Sequence, residues 1–564
     1  MNKKPLVVAI LDGLGISNYE NGNAPLLAKM NNIQLIHQHY PWTLLDASSE
    51  AAGLIHNTYG TCQNNHSIIG SGRIVNSYLK TISDSINDNS FFQNEVLLQT
   101  IAEAKKRDKK FVHIIGLISK SPIAGFEDDV FALIKFIRQN DLTPVVHAIT
   151  DGKDVNKKSA ITYLSDLNNV LKAYDAKLAD ISGRYYALDN KLHWNRIIKA
   201  WNVMSDHDGD SFSDYESYVK NQYASSSTDE FFIPKYNESF NDTKILDDDV
   251  VIVSAYRYAA GLISLMQNSY TEEEDTKYVH RNNLYITTLT TYELKDIHIA
   301  FKLQQEINTL SEVIANNNLR QLRISDSLRF NDLTYQFDGK RNITLNNTNN
   351  VKIDLDIAKN VTYDLSPQLS SFKITQYIIE HLSDYDVIFV NYSNPDILGH
   401  TGNLDAAIKA LKIIDLCIGS LYDAVVNKNH GSLIITSDHG NCEAMVDEND
   451  NVISYHSMNK VPFILCERKL HLKETEASIQ DIAPTILSYL NLEIPKEMTG
   501  TSLFKQKYWL TDFFDKFKKK DILLNLKTIS EEEIKNILNA TSRNVENSEI
   551  GSKYIDENDF SALE

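Results

Sequence analysis

Three short apolar segments of this chain are each followed by Asp or His residues. This repeated arrangement constrains the fold more strongly than any other feature of the sequence. The segments are residues 6–11, 386–390 and 432–436. Runs of four to six apolar residues rich in β-branched types, bounded by Gly and Asn, are typical of strands buried on both faces of a parallel sheet. Patterns of helical period separate them, the clearest at 404–424. The sequence therefore predicts an α/β fold.

Carboxylate and imidazole side chains follow the predicted strands and occupy the adjoining loops. In a parallel sheet the carboxyl ends of the strands line the ligand site. The candidate metal ligands are Asp12, Asp396, His400, Asp438, His439 and His456. Such a donor set suits manganese, zinc or iron, and a pair of ions can hold a phosphoryl group between them. A single Asp-Gly pair would indicate only a turn, but six such residues predict a metal centre.

The spacing of Asp396 and His400 gives a more local expectation. They are four residues apart, with Pro395 directly before Asp396 and Gly399 directly before His400. We expect the two side chains to bind one ion from a single loop.

The order of the segments predicts a discontinuous domain. Asp12 precedes Asp396 and Asp438 by hundreds of residues, so the first strand must join a sheet built mostly from the C-terminal half. Residues 81–309 have their own strand and helix pattern and are predicted to form an inserted second α/β domain. The first domain then comprises 1–80 and 310–505, and 506–564 form a C-terminal helical extension. The extension has an aromatic helical face that its own core or a protein partner must cover: Trp509, Phe513, Phe514 and Phe517.

Composition excludes several classes of partner. The 564 residues include 56 Lys and Arg against 75 Asp and Glu, a formal net charge of −19. This balance argues against a nucleic-acid surface and against binding to anionic membranes. No apolar run reaches the 18 or so residues of a membrane span. The four cysteines form no CxxC pair, so we expect a reduced, cytoplasmic protein.

Longer motifs bring a specific resemblance. The chain resembles the cofactor-independent phosphoglycerate mutase family of the alkaline phosphatase superfamily over roughly residues 4–505. The motifs that carry this resemblance, in chain order, are Asp12-Gly-Leu-Gly15, Gly70-Ser-Gly-Arg73, Ser182-Gly-Arg-Tyr-Tyr186, Asn394-Pro-Asp-Ile-Leu-Gly-His-Thr-Gly402, Asp438-His-Gly-Asn441, His456, Asp481-Ile-Ala-Pro-Thr485 and Lys496-Glu-Met-Thr-Gly500.

The resemblance implies an activity and a cofactor. Members interconvert 3- and 2-phosphoglycerate with two manganese ions, and a metal-activated serine takes up the phosphoryl group and returns it. By position, the ligands of one ion are Asp396, His400 and His456. Those of the other are Asp12, Asp438 and His439, together with the nucleophile.

The nucleophile segment departs from the family pattern. Where the family has Gly-Asn-Ser-Glu-Val-Gly-His, this chain has Gly60-Thr-Cys-Gln-Asn-Asn-His66, which places Cys62 at the serine position. A metal-bound thiolate can attack phosphorus. A soft sulfur suits a manganese site poorly, however, which puts occupancy of that ion in doubt. Cys62 is therefore either a nucleophile or a small inert residue.

The substrate site is also altered. The resemblance assigns substrate binding to Lys153, Asp154, Arg184, Arg257 and Arg329. Lys153 replaces an arginine, and Arg329 stands for a family lysine. Three further family positions, one histidine and two arginines, are here Ala124, Asn190 and Ala260. A small phosphorylated acid would therefore be held by fewer cationic and hydrogen-bonding groups.

Three hypotheses follow. The chain is a working mutase with a cysteine nucleophile, or a mutase-like protein whose activity is reduced or lost and which serves as a metal-stabilised structural or regulatory subunit. The third is a metal-dependent phosphatase acting on another ester. The altered site and the extension favour the second hypothesis.

Overall fold

The protein has an α/β fold, as the sequence predicts. The computed structural model describes residues 4–121, 123–271, 277–302, 305–355, 362–467, 470–473, 476–505, 524 and 526–528. The aromatic face predicted at 509–517 lies outside the described residues.

The strands and helices alternate along most of the chain. The strands are β1 Leu6–Leu11, β2 Trp42–Leu45, β3 Phe111–Ile118, β4 Thr143–Thr150, β5 Lys177–Gly183, β6 Ser211–Phe212, β7 Lys235–Asn237, β8 Val250–Val253, β9 Tyr285–Thr288, β10 His298–Ile299, β11 Gln321–Asp326, β12 Thr348–Ile353, β13 Val387–Tyr392, β14 Ser432–Thr436 and β15 Val461–Leu465. The α-helices are α1 Ala24–Ala28, α2 Asn31–His39, α3 Cys62–Ser71, α4 Tyr78–Asn87, α5 Glu95–Lys106, α6 Glu127–Gln139, α7 Ala160–Ala173, α8 Arg184–Ala187, α9 Trp194–Asp206, α10 Tyr215–Ala224, α11 Ala260–Met266, α12 Leu310–Asn316, α13 Ser371–Glu380, α14 Asn394–His400, α15 Leu404–Tyr422 and α16 Ile482–Tyr489.

The chain divides into two compact units. Among the described residues, unit 1 comprises those up to 77 together with those from 305 onward, and unit 2 comprises those between 78 and 304. Each unit is built around one sheet of its own.

The sheet of unit 1 has seven strands in the order β12-β11-β13-β1-β14-β15-β2. Strand β1 pairs in parallel with β13 and with β14, so the N-terminal strand lies between two strands of the C-terminal half, as predicted. Alternate residues of β1 enter different cores: Val7 packs in one hydrophobic cluster and Val8 in the other. Burial on both faces is the physical reason for the uninterrupted apolar run.

The sheet of unit 2 has eight strands in the order β10-β9-β8-β3-β4-β5-β7-β6. Strands β3, β4, β5 and β8 are parallel neighbours in its centre, and every residue of β4 is buried. Its carboxyl ends lead into loops that carry Asp151 and Arg257 and into helix α8, which begins at Arg184. Unit 2 therefore places charged side chains at the sheet edge where an α/β protein binds ligands.

Candidate functional site

The carboxyl ends of the central strands of unit 1 bring the acidic residues together. Asp12 is the first residue after β1, and Asp438 is the second after the neighbouring strand β14. Gly13 has a φ of +73°, and a Cβ there would lie 2.7 Å from the backbone of Asp396. Glycine is needed because the turn after β1 passes directly against the helix that carries Asp396.

Asp396 and His400 lie on helix α14, so the expectation of a loop was wrong. Pro395 occupies a position in the first turn of this helix, where proline's missing N–H costs nothing. The spacing of four residues then puts both side chains on one helical face. His400 Nε2 lies 3.4 Å from Asp396 Oδ1.

Two histidines face each other with their acceptor nitrogens. His400 Nδ1 lies 2.7 Å from the carbonyl of Ser454, and His456 Nδ1 lies 2.7 Å from the carbonyl of Gly60. Each Nδ1 must carry the proton to donate to its carbonyl, so in the neutral rings both Nε2 atoms are bare. These two Nε2 atoms are 3.0 Å apart, and each lies within 3.4 Å of an Asp396 oxygen. Two facing lone pairs repel each other unless a proton or a metal ion lies between them, and this is the ring orientation that metal-binding histidines adopt.

Cys62 stands at the centre of the cluster, as the first residue of helix α3. Its Sγ lies 2.9 Å from His439 Nε2, 3.6 Å from Asp12 Oδ1 and 3.9 Å from Asp396 Oδ2, and the side chain is fully buried. Thr61 caps this helix by accepting a hydrogen bond from the backbone N–H of Asn64. The cap and the helix fix the direction of the thiol towards the ligands.

In the part of the chain that the structure describes, one carboxylate oxygen of this buried cluster is left without a hydrogen bond. Asp438 Oδ2 has no hydrogen-bond partner among the described residues, although His66 and His439 nitrogens lie 3.3 and 3.5 Å away. Burial, reinforced by the negative charge of Asp438, raises the pKa of Asp12 well above its ordinary value. Burial also lowers the pKa of His439 to about 4, which keeps this imidazole neutral and available as a ligand.

These residues fit divalent metal ions. One group of possible ligands is Cys62, Asp396, His439 and His456, and a second is Asp12, Cys62, Asp438 and His439. Within each group the ligand atoms all lie within 4.8 Å of one another. Thiolate, imidazole and carboxylate donors, an orphaned carboxylate oxygen and two facing bare nitrogens all call for cations at this position.

Arg329 lies in this cluster of unit 1. Its Nε donates a hydrogen bond to Asp12 Oδ2 at 3.1 Å, and its Nη2 donates to Asp396 Oδ2 at 2.6 Å. The other residues that the resemblance assigns to substrate binding belong to unit 2.

In unit 2 the structure brings Arg184 and Asp154 together. Arg184 Nη1 donates to Asp154 Oδ2 at 2.5 Å and to Asp151 Oδ1 at 2.7 Å, and Arg184 is only 5% exposed. Lys153 is exposed and Arg257 is half-buried in the loop after β8. These charged groups therefore cluster at the carboxyl ends of β4, β5 and β8.

Comparison with known proteins assigns the family. The model of the metalloenzyme superfamily matches residues 4–494. A 2,3-bisphosphoglycerate-independent phosphoglycerate mutase of Clostridium novyi is 38% identical over 517 residues, which cover 90% of this chain and all of that relative. One of Mycoplasma genitalium is 37% identical over 511 residues, covering 90% of this chain and 99% of that relative.

The chain belongs to this mutase family. Among solved structures, a Leishmania mexicana phosphoglycerate mutase matches with a TM-score of 0.68 and 21% identity, covering 90% of this chain and 98% of that one. That likeness concerns the fold alone. Because the C. novyi mutase is covered completely by 90% of this chain, about a tenth of the chain has no counterpart in it.

The mutase family belongs to the metalloenzymes, and this agrees with the candidate metal ligands found in unit 1. Family membership therefore implies divalent metal ions as cofactors. Among the described residues, no helix combines the length and the hydropathy needed to cross a bilayer.

Sequence reasoning missed Glu443, which organises the site without entering it. Its buried carboxylate accepts hydrogen bonds from the backbone N–H groups of Gly15 and Asn441, at 3.0 and 2.9 Å, and from the side chains of Ser457 and Asn459. It thereby joins the segments that follow Asp12, Asp438 and His456.

His66 and Asn391 are further positioning residues of this mutase homologue. His66 Nδ1 lies 2.8 Å from the carbonyl of Cys62, and Asn391 Nδ2 lies 2.9 Å from His66 Nε2 and 3.1 Å from Asp12 Oδ2. His66 ends the nucleophile segment and so stood within a recognised motif. Asn391 directly follows a predicted strand, so its position could be predicted from the sequence. Its role could not, because its partners come from distant parts of the chain.

Proposed function

We propose that this chain is a cytoplasmic, metal-binding phosphoglycerate mutase homologue whose interconversion of 3- and 2-phosphoglycerate is reduced or lost, and that it serves a structural or regulatory role. The observation that carries the proposal is the pairing of Arg184 with Asp151 and Asp154. A substrate phosphate or carboxylate would have to compete with two carboxylates for this guanidinium.

The charged groups that interact with one another around Arg184 give no excess of positive charge, since two are positive and three are negative. Lys153 and Arg184 are the positive groups, while Asp151, Asp154 and Glu230 interact with them as negative ones. Burial raises the pKa of Glu230, and the nearby Lys153 and Arg184 oppose this rise. A trianionic phosphoglycerate gains little from a site without a clear excess of positive charge.

The three substituted positions supply no replacement. Ala124 is fully buried in the hydrophobic core of unit 2, Asn190 is exposed, and Ala260 is half-buried at the start of α11. A hydrogen bond to a charged group contributes about 1.5–3 kcal/mol. Because about 1.4 kcal/mol corresponds to a factor of ten, losing three such bonds lowers substrate affinity or rate by roughly three to six powers of ten. This magnitude supports a strong reduction of mutase activity.

The candidate ligands of unit 1 support the proposal that this chain still binds metal ions. We propose two divalent ions of the manganese type, one held by Asp396, His400 and His456, and the other by Asp12, Asp438 and His439. When bound, the ions supply the positive charge that holds a phosphoryl group. The soft sulfur of Cys62 lowers occupancy at the second position if the ion is manganese.

The position of Cys62 favours a second candidate function, an active mutase with a thiol nucleophile. Its Sγ lies at the first residue of α3 and 2.9 Å from His439 Nε2, an arrangement that can activate a thiol. In this case the Cys62 thiolate would attack phosphorus as the P–O bond to one glycerate hydroxyl breaks and that oxygen takes up a proton. The other hydroxyl would then give up its proton and attack phosphorus as the S–P bond breaks, which restores the thiolate.

One pair of measurements separates these candidates. Metal content is determined on the purified protein, and binding of 3-phosphoglycerate is measured by calorimetry in the presence of Mn²⁺. The proposal expects bound metal with weak or undetectable phosphoglycerate binding. Tight binding, together with phosphoryl transfer that disappears in Cys62→Ala, would establish the active mutase instead.

A further inference from the structure

The C-terminal extension returns to unit 1 at residues 524 and 526–528, which we call the docking segment. Leu524 and Leu526 are only 8% and 7% exposed, and both belong to the hydrophobic core cluster that contains the inner face of α15. Asn427, in the π-helical turn that continues α15, donates a hydrogen bond to the Leu524 carbonyl at 3.3 Å. The segment is thus seated on this unit by two apolar side chains.

The side chain of Asn32, at the start of α2, forms hydrogen bonds with the backbone of the docking segment. The Lys527 N–H donates to Asn32 Oδ1 at 2.9 Å, and Asn32 Nδ2 donates to the Lys527 carbonyl at 2.8 Å. The same amide nitrogen donates to the Asp415 carbonyl at 2.9 Å, so both of its hydrogens are used. Asn32 is 2% exposed with the segment in place, and two of the hydrogen bonds of its side-chain amide are made to the segment.

Helix α15 is shaped for the same contact. A Cβ added at Gly419 would lie 2.5 Å from the Lys527 carbonyl oxygen and 2.4 Å from Asn32 Nδ2. Glycine in the interior of a helix is unfavourable, and at this position it lets the backbone of the segment approach. Asp415, one turn earlier, accepts hydrogen bonds from the backbone N–H groups of Asn32 and Ile33 and so fixes the start of α2 against α15.

We propose that the surface formed by Asn32, Gly419 and Asn427 is a docking site for the docking segment of the same chain, residues 524 and 526–528. The side-chain amide of Asn32 acts as the neighbouring strand would in a sheet, because it offers one donor and one acceptor to one residue of the segment. The two leucines supply the apolar anchors. The extension, which follows the body shared with the mutase relatives, is thereby fastened to unit 1 within the same chain.

Hydrogen exchange of the full-length chain, followed by mass spectrometry, tests this docking. In the wild type we expect the amides of the segment to exchange about tenfold or more slowly than an unstructured peptide. Leu526→Asp places a charge in the apolar contact and is expected to abolish this protection. Lys527→Ala is the matched control, because the Lys527 side chain is exposed and only its backbone is bound.

Leu526→Asp changes the segment itself, so the folded body of unit 1 remains an internal reference in the same experiment. Unprotected segment amides in the wild type would overturn the proposal, as would equal protection in the wild type and Leu526→Asp. Protection found only in a dimer fraction from size-exclusion chromatography would also overturn it, because the segment would then dock on a second copy.

Discussion

Cys62 Sγ lies 2.9 Å from His439 Nε2, and both residues belong to each of the two candidate ligand groups of unit 1. The thiol therefore sits where it would contact any ion held by either group. Cys62 adds a sulfur atom to a centre whose other candidate ligands offer only oxygen and nitrogen. This difference holds whether Cys62 is a nucleophile or an inert residue.

Replacing the metal ion by Co²⁺ allows the contact between Cys62 Sγ and the ion to be detected by absorption spectroscopy. A thiolate bound to Co²⁺ gives a charge-transfer band in the near ultraviolet, and a serine ligand does not. We expect the band in the Co²⁺-loaded wild type and its loss in Cys62→Ser. Cys417→Ala is the control, because Cys417 is buried in the core of unit 1 and belongs to neither ligand group. A spectrum unchanged by Cys62→Ser would remove Cys62 from the metal centre.

Glu443→Gln is expected to weaken metal binding by about 10- to 100-fold, the usual effect of losing a residue that orients ligands. The NH2 group of glutamine donates and cannot accept, so the two hydrogen bonds made to the carboxylate oxygen that it replaces are lost. Calorimetric titration with Mn²⁺ measures the change directly, without reference to activity. Glu448→Gln, an exposed glutamate five residues later, should bind the metal as the wild type does. Equal affinities in both variants would show that Glu443 does not position the ligands.

Much of the fold could be predicted because β1 and its neighbours are buried on both faces. The apolar run Leu6–Leu11 forms the expected strand with the same bounds, and 432–436 forms β14. The expectation of a loop at Asp396 failed because proline is tolerated in the first turn of a helix. Glu443 could not be predicted because its role depends on how several loops meet, one of them carrying Gly15, 428 residues earlier in the chain. Asn32 could not be predicted because its partners Asp415 and Lys527 lie 383 and 495 residues away. Substrate roles for Lys153, Asp154, Arg184, Arg257 and Arg329, and the domain bounds, stay predictions.

A buried acid in unit 2 gives a pH dependence independent of the metal centre. Asp129 lies in the first turn of α6, and its Oδ2 accepts a hydrogen bond from the Tyr256 hydroxyl at 2.5 Å. Burial raises the pKa of Asp129 from 3.8 to about 8. The folded chain therefore holds a proton that the unfolded chain releases, so this contribution to stability is full below about pH 4 and is lost as the pH rises towards 8.

Asp129→Asn mimics the protonated form at every pH. Between about pH 6 and about pH 9 the wild type should lose on the order of 2 kcal/mol of unfolding free energy more than this variant does. Chemical denaturation at a series of pH values measures the difference. Asp175→Asn, which alters an exposed carboxyl, should follow the wild type. Parallel pH profiles for the wild type and Asp129→Asn would contradict the account of this residue.

The most direct test of the central claim is the rate at which the Mn²⁺-loaded wild type converts 3-phosphoglycerate into 2-phosphoglycerate, measured beside the C. novyi relative. The triple variant Lys153→Arg/Asn190→Arg/Ala260→Arg is assayed in parallel, because it returns a guanidinium group to position 153 and adds a positive charge at each of positions 190 and 260. We predict a wild-type turnover about a thousandfold or more below that of the relative, with a higher rate in the triple variant. A wild-type turnover within about tenfold of the relative would contradict the account.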